Sequence, residues 1–101
     1  MNTPDPMPLK LEGLCRALSD ATRWRILREL SKGEPLPVQE LARRVGRPRA
    51  QVSKHMAMLR EVGVAIAVYG RLYRFTPGVR VLAEERLLDL GYCLVRLDAV
   101  P

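Results

Sequence analysis

The sequence predicts a mainly α-helical domain with a small β-hairpin, in the order ααααββα. Apolar residues recur at helical spacing in four successive segments and again between residues 79 and 97, which predicts five helices. Before the last of them, branched and aromatic residues on both sides of Gly70 have the pattern of two paired strands. With 101 residues, the chain has room for one domain and a modest core.

Two helices are predicted in the first third of the chain, over residues 8–18 and from about residue 20 to residue 30. Ser19 or Asp20 suits the N-cap of the second helix, because a side-chain oxygen there can accept a hydrogen bond from an unpaired backbone N–H. The apolar positions that follow helical spacing are Leu11, Leu14, Cys15 and Leu18 in the first helix and Ile26 and Leu27 in the second.

The next two helices are predicted over residues 38–45 and 49–62, joined by a short turn. Gly46 supplies the permissive backbone of that turn, and Gly63 suits the left-handed position just past the end of the second helix. A short helix, a tight turn and a helix with an exposed polar side make a helix-turn-helix. A hairpin that follows directly is a wing, which can touch the adjacent DNA backbone or minor groove.

The helix over residues 49–62 has an outer side suited to DNA. At helical spacing, Val52, Met56 and Leu59 would face inward, and Ala50, Ser53, Lys54 and Ala57 would face outward. Small side chains let a helix enter the major groove, and Ser53 can bond a base edge or a phosphate. Lys54, with the flanking Arg47 and Arg49, can neutralise phosphates. The alternative interpretation is an ordinary solvated helix face.

The net charge of +6 is concentrated in the middle of the chain. Between Arg43 and Arg74 there are eight basic residues against one acid, Glu61, so the remainder of the chain is close to neutral. A basic middle between near-neutral ends is typical of a nucleic-acid-binding core with separate interaction elements. The basic residues are Arg43, Arg44, Arg47, Arg49, Lys54, Arg60, Arg71 and Arg74.

The last helix is predicted over residues 79–97. Its apolar side would consist of Val79, Leu82, Ala83, Leu87, Leu90, Leu94 and Leu97. The first and last helices then keep apolar faces without a partner in so small a domain, and a second copy of the chain would cover them. A two-fold dimer also places two reading helices about one DNA turn apart, which suits an inverted repeat.

Three segments are expected along the chain: a flexible lead over residues 1–7, one DNA-binding and dimerisation domain over residues 8–97, and a tail over residues 98–101. No apolar run approaches the roughly 18 to 20 residues that span a bilayer, and residues 1–10 lack the apolar core of a signal peptide. We therefore expect a cytoplasmic protein without a membrane partner. The sequence shows no nucleophile with a base and no phosphate loop, so neither enzymatic activity nor a cofactor is expected.

Several motifs occur in the order found in one family of bacterial repressors. Residues 18–27 (LSDATRWRIL) are similar to a leucine-x-aspartate-x-threonine-arginine-x-x-isoleucine-leucine pattern, and residues 40–42, 52–55 and 59–64 match a helix-turn-helix pattern. Gly70, Arg71 and Tyr73 match the wing. On these residues the chain resembles the ArsR–SmtB family of winged-helix repressors, over about residues 9–97.

The resemblance implies a dimer, sealed by the first and last helices, that represses promoters by binding an imperfect inverted repeat and is released by an inducer. It assigns groove and phosphate contacts to the helix over residues 49–62, a supporting role to His55 and a wing contact to Arg71. His55 could instead simply pack and hydrogen-bond near the turn. Together with the residues chosen from the helical pattern, the predicted DNA-binding set is Arg47, Arg49, Gln51, Ser53, Lys54, His55 and Arg71.

The metal sites of the family are missing. Its thiol-type sensors carry a Cys-x-Cys near the start of the helix-turn-helix, where this chain has residues 38–42 (VQELA), and its last-helix zinc sensors use histidines, whereas the single histidine here is His55. Tetrahedral zinc needs about four ligands, and Glu84, Glu85 and Asp89 alone are poor candidates. No metal ion is expected, and the sequence does not identify an inducer.

Cys15 and Cys93 lie on the two predicted helices that the family uses for dimerisation. They either pack as small hydrophobic residues or form a thiol switch, which requires their Cα atoms to approach within roughly 7 Å, in one chain or across the dimer. We therefore predict a sequence-specific transcriptional repressor that acts as a homodimer, with a thiol switch as its one visible route to a signal. The alternative is a winged-helix module for protein association or DNA architecture, without operator specificity.

Overall fold

The computed structural model describes residues 10–100, in which four helices are followed by two small antiparallel sheets. The helices are α1 (Leu11–Ala17), α2 (Ala21–Leu30), α3 (Val38–Val45) and α4 (Arg49–Glu61), and the strands are β1 (Ala65–Val68), β2 (Leu72–Phe75), β3 (Arg80–Leu82), β4 (Leu87–Asp89) and β5 (Leu94–Arg96). A 3-10 turn over Leu97–Ala99 follows β5. Within residues 10–100, no helix has the length and apolar character to cross a membrane. The predicted lead over residues 1–7, the start of the first predicted helix and Pro101 lie outside the described residues.

The helix ends follow local signals that the sequence carries. The side chain of Asp20 accepts a hydrogen bond from the backbone N–H of Arg23 at 3.1 Å and so caps α2. Gly46 ends α3 in the left-handed conformation at φ 69°, and Gly63 follows the C-cap of α4 at φ 89°, as predicted. These ends fix the short turn that separates α3 from α4.

The core is formed by one side of each helix together with residues of both sheets. Its fully buried large side chains are Leu14, Ile26, Leu27, Leu36, Leu41, Met56, Leu59, Leu88, Leu90, Val52 and Val64. Burying one such side chain stabilises the fold by about 1.5–3 kcal/mol. Among residues 10–100, the polar residues Thr22 and Glu29 are also buried. The carboxylate of Glu29 accepts a hydrogen bond from Lys32 Nζ at 3.0 Å. This bond offsets part of the cost of burying a charged group away from water.

The predicted hairpin is confirmed as β1 and β2, which pair antiparallel from Ala65 opposite Phe75 to Val68 opposite Leu72. The hairpin is tied to the segment before α3 by two backbone hydrogen bonds between Leu36 and Tyr73, at 3.0 and 2.8 Å. Because this link and the contact of α4 with β1 hold the wing from two sides, its position relative to the helix-turn-helix is fixed.

The prediction of a last helix over residues 79–97, and with it the order ααααββα, is wrong. This part of the chain forms an antiparallel sheet in the order β3-β4-β5, in which Val81, Leu88 and Val95 are register partners across the three strands. Leu88, which lies off the apolar side of the predicted helix, is fully buried, whereas Leu94, which lies on it, is 56% exposed.

The physical reason lies in the turns and in the spacing of the buried residues. Val79 and Leu88 are each followed two residues later by another apolar residue, which fits the two-residue period of a strand. Arg86 adopts φ 56° and Gly91 adopts φ 88°, and neither angle fits a continuous right-handed helix. The backbone N–H of Gly91 donates to the Asp89 carboxylate at 2.8 Å, which closes the turn between β4 and β5.

Candidate nucleic-acid interface

One side of α4 packs in the core, and the other side faces solvent. Val52, Met56 and Leu59 have no exposed surface, which confirms the inward side that the helical spacing predicted. The outward residues of the first three turns are all exposed: Arg49, Ala50, Gln51, Ser53, Lys54 and Ala57. We call this outward set the α4 face. The α4 face carries both small and polar side chains on one helix, which is the combination that a helix needs in order to enter a major groove.

The polar groups of the α4 face are available to a ligand. Arg49, Gln51, Ser53 and Lys54 make no side-chain hydrogen bond or ion pair with any other residue between 10 and 100. Arg47, in the turn before α4, is exposed and reaches only the carbonyl oxygen of Gly46, at 3.3 Å. Binding of these side chains to DNA therefore breaks almost no contact within the protein.

Two of the eight basic residues in the middle of the chain are occupied within the fold. Arg43 and Arg44 both donate to the carboxylate of Glu40, with Arg44 Nε at 2.8 Å and Arg43 Nε at 3.0 Å. These hydrogen bonds lower the pKa of Glu40 to about 2, so this carboxylate is ionised throughout the physiological pH range. Arg44 also reaches Glu34 at 3.2 Å. The positive charge that remains available lies on α4, its preceding turn and the wing.

The tip of the wing carries an aromatic residue that sequence reasoning missed. Tyr69 is 91% exposed and adopts φ 52°, and Gly70 follows at φ 77°. Two successive positive φ angles match the tight turn favoured in hairpins, a conformation that is unfavourable for a bulky residue. Arg71, which was predicted to contact DNA, is exposed beside it. An aromatic residue just before the turn glycine of a predicted wing is the signal that could have identified Tyr69.

His55 is on α4 but not on the α4 face. Its side chain is only 13% exposed, and its Nδ1 lies 3.0 Å from Arg23 Nη1 of α2. Burial, and then the nearby charge of Arg23, lower the pKa of His55, while the Asp20 carboxylate opposes them. The structure thus groups Arg47, Arg49, Gln51, Ser53 and Lys54 on one surface, sets Arg71 on the wing, and turns His55 toward α2.

The two cysteines lie away from the α4 face, and both are exposed. Cys15 is in α1, and Cys93 directly precedes β5. Burial raises the pKa of the Cys93 thiol, and the nearby charges of Cys15 and then Asp89 raise it further. Across residues 10–100, no cluster of three or more His, Cys, Asp or Glu side chains has the arrangement to hold a metal ion.

Comparison with known protein families finds that residues 18–68 match the model of a family described as a helix-turn-helix domain. The matched segment contains α2, α3, α4 and the first wing strand. It therefore includes the α4 face and the contact between Arg23 and His55.

Two curated mycobacterial relatives are similar to the chain. The HTH-type transcriptional regulator CmtR of Mycobacterium tuberculosis is 46% identical over 66 residues, which is 64% of this chain and 55% of that protein. The HTH-type transcriptional regulator KmtR of the same species is 45% identical over 62 residues, 56% of this chain and 46% of that protein. The chain thus spans about half the length of the curated relatives that it matches.

The NMR structure of the cadmium metal-sensor CMTR from Mycobacterium tuberculosis has a similar fold. It superposes with a TM-score of 0.53 at 45% sequence identity, covering 65% of this chain and 69% of that chain. Together with the two curated relatives, this likeness confirms the resemblance to the ArsR–SmtB repressors that the motifs predicted.

Proposed function

The chain belongs to the helix-turn-helix domain family, and on that premise we propose that it is a sequence-specific transcriptional repressor that binds an inverted-repeat operator as a homodimer. One observation carries the proposal: the α4 face is exposed and polar, and its side chains have no partner within residues 10–100, while the opposite side of the same helix is fully buried. Both curated relatives are transcriptional regulators by name, which supports the same function.

The α4 face and its surroundings divide DNA recognition between two kinds of contact. Arg47, Arg49 and Lys54 bring positive charge to the phosphates, which sets affinity and orientation. Gln51 and Ser53 carry neutral donors and acceptors at the same surface, and these can distinguish base edges in the major groove. The assignment follows from side-chain chemistry and exposure.

The wing adds a second contact beside the groove. Arg71 at its tip approaches the backbone or minor groove, and the exposed ring of Tyr69 extends this contact. Holding a tyrosine at φ 52° costs stability, and residues kept in such conformations are concentrated at binding sites. The wing therefore contributes more to recognition than its short, alanine-rich first strand would suggest.

An apolar surface outside the α4 face supports the homodimer. Leu11, Tyr92 and Leu94 are each more than half exposed. Leu11 is one helical turn from Cys15 on α1, and Tyr92 and Leu94 flank Cys93. We call these residues, together with Cys15 and Cys93, the α1–β5 patch and propose that they form one surface. A second copy of the chain would cover it, with the C-terminal strands in the place that the resemblance gives to a last helix.

The test of this function is selection from a pool of randomised double-stranded DNA, with the oligomeric state measured by sedimentation at micromolar concentration. We expect a dimer that enriches an inverted repeat with half-sites about 10 base pairs apart and loses affinity steeply as salt rises. A monomer, or a dimer that retains DNA without enriching any sequence, would contradict the proposal and favour the association or architectural module.

We propose no enzymatic activity for this protein, since the relatives are regulators. We also propose that the protein acts in the cytoplasm, where its DNA lies. Residues 8–97 act as the unit that carries both DNA binding and dimerisation, between a short lead and a short tail. No resident metal or cofactor enters the proposal. The chain has two cysteines and one histidine in all, which are too few ligands for a metal site built from thiolates and imidazoles.

Cys15 and Cys93 are the proposed route for a signal. Both belong to the α1–β5 patch and both are exposed, so an oxidant can reach them. With hydrogen peroxide, the two thiols lose two electrons and two protons to form one disulfide, and the peroxide is reduced to two molecules of water. The bridge would fasten α1 to the turn before β5 and so alter the surface that pairs the subunits.

We expect hydrogen peroxide to lower operator binding by the wild-type protein and dithiothreitol to restore it. Cys15→Ser and Cys93→Ser should each abolish the response, because neither can form the bridge. The response should be faster at higher pH, since the raised pKa of Cys93 keeps its thiol protonated near neutrality. Zinc, cadmium and cobalt should leave binding unchanged. If peroxide leaves operator affinity unchanged in the wild type, Cys15→Ser and Cys93→Ser alike, the thiol switch is wrong and the protein is a constitutive repressor.

A further inference from the structure

Three polar side chains meet at the junction between the end of α1, the start of α2 and the middle of α4. Asp20 is the N-cap of α2, Arg23 lies in the first turn of α2, and His55 lies in the middle of α4. Arg23 Nη1 is 3.0 Å from His55 Nδ1, and His55 Nε2 is 3.9 Å from Asp20 Oδ1. This cluster joins α4 to the rest of the protein through polar contacts and not only through its apolar side.

Arg23 also holds the end of α1. Its Nε donates to the carbonyl oxygen of Ala17 at 2.8 Å, and its Nη2 donates to the carbonyl oxygen of Arg16 at 2.9 Å. Carbonyls in the last turn of a helix lack the usual N–H partner four residues on, and the Arg16 carbonyl also accepts from Ser19 Oγ at 2.6 Å and from the Ser19 backbone N–H at 3.2 Å. One guanidinium, with its fixed planar set of donors, therefore connects the end of α1 to a ring nitrogen of the reading helix.

We propose that Arg23 and His55 are positioning residues that set the orientation of α4 relative to α1, and so hold the α4 face in its DNA-reading position. The inference rests on the proposed function. It gives His55 a role that does not require contact with DNA, in agreement with its 13% exposure, and it names Arg23, which the sequence analysis did not single out. It also connects α4 to the α1 segment that carries Cys15, directly before Arg16.

The link depends on the protonation state of His55. A guanidinium can only donate hydrogen bonds, so Nδ1 must accept and the proton of the neutral ring lies on Nε2. Nε2 is buried without a hydrogen-bond partner among the described residues. A second proton would have to enter at Nδ1, where it would displace the Arg23 hydrogen bond and face its positive charge. The charged groups that face the ring are Arg23, which opposes protonation, and Asp20, which favours it.

The experiment compares two substitutions of similar size, one polar and one apolar. His55→Asn retains an acceptor for Arg23 and does not titrate, whereas His55→Leu fills the space without an acceptor. Operator affinity, affinity for random-sequence DNA and thermal unfolding are measured from about pH 8 to about pH 4.5, because the pKa of His55 lies below the ordinary histidine value of 6.5.

We expect wild-type operator affinity to fall about fivefold to tenfold as pH decreases, the loss expected for one such hydrogen bond. His55→Asn should bind close to wild type at pH 8 without this decrease. His55→Leu should lose about tenfold in operator affinity at every pH and keep its affinity for random DNA, while its thermal stability falls only by the cost of one hydrogen bond. Wild-type operator affinity in the His55→Leu protein at pH 8 would overturn the positioning role.

A measurement without DNA separates this inference from the function on which it rests. In NMR titrations of the wild-type protein, protonation of His55 should shift the backbone resonances of Arg16 and Ala17 together with those of α4, because Arg23 connects them. The shifts in α1 should be absent from the His55→Asn protein. If the ring titrates and α1 does not respond, the positioning role is wrong, whether or not an operator is found.

Discussion

Leu88→Ala is expected to lower the free energy of unfolding by about 2–5 kcal/mol, the usual cost of truncating a fully buried leucine. Leu88 is in the central strand of the C-terminal sheet, has no exposed surface and belongs to the same core cluster as the helices. Its removal leaves a cavity between the sheet and the helices, which neighbouring side chains can fill only in part. Chemical denaturation monitored by circular dichroism measures the change.

Leu94→Ala is the matched control. Leu94 is the same residue type in the neighbouring strand but is 56% exposed, so its truncation should change the free energy of unfolding of the monomer by about 0.5 kcal/mol or less. The comparison is made below the concentration at which the proposed dimer forms, because Leu94 belongs to the α1–β5 patch. The pair also distinguishes strand from helix, because a helix over residues 79–97 would bury Leu94 and leave Leu88 off its apolar side. A larger loss for Leu94→Ala than for Leu88→Ala in the monomeric state would contradict the observed sheet.

Lys54→Ala is expected to weaken binding to operator and random-sequence DNA alike, by about tenfold at low salt. Lys54 is exposed in the centre of the α4 face and has no ion-pair partner among residues 10–100, so its ammonium group is free to neutralise a phosphate. The slope of affinity against salt concentration should decrease by about one for each subunit.

Gln51→Ala should instead change the preferred sequence with little effect on the salt slope. Fluorescence anisotropy over a series of salt concentrations measures both.

Arg80→Ala provides the control for charge alone. Arg80 is exposed on β3, outside the helix-turn-helix and the wing, and its removal lowers the net charge by the same amount. We expect DNA affinity and salt slope to remain close to wild type. Equal losses for Arg80→Ala and Lys54→Ala would indicate a general effect of net charge, and unchanged binding by Lys54→Ala would place the reading surface elsewhere.

The helix-turn-helix and its wing could be predicted closely because their signals are local. The cap at Asp20 and the left-handed turns at Gly46 and Gly63 act within a few residues of the positions that they define. The inward side of α4 follows from helical spacing alone, and Val52, Met56 and Leu59 are buried as expected. The predicted α4 end differs from the observed one by a single residue, with Val62 as the C-cap.

The C-terminal segment could not be predicted in the same way, because its leucines favour a helix locally and the pairing between strands overrides that preference. Leu87 and Leu90 fit the period of a helix, and Leu88 and Leu90 fit that of a strand. The choice depends on pairing with other strands, and cross-strand pairs have no signature within a short window. Gly91 and the nearby valines were the local signs of strands and turns.

The sequence by itself therefore determined the four helices, the wing and the composition of the α4 face, since each depends on contacts between residues close in the chain. The tertiary structure alone decided two further matters. It paired the C-terminal strands, and it placed Arg23 against His55, 32 positions along the chain. Both depend on how separate elements pack against each other, which a short window of sequence does not contain.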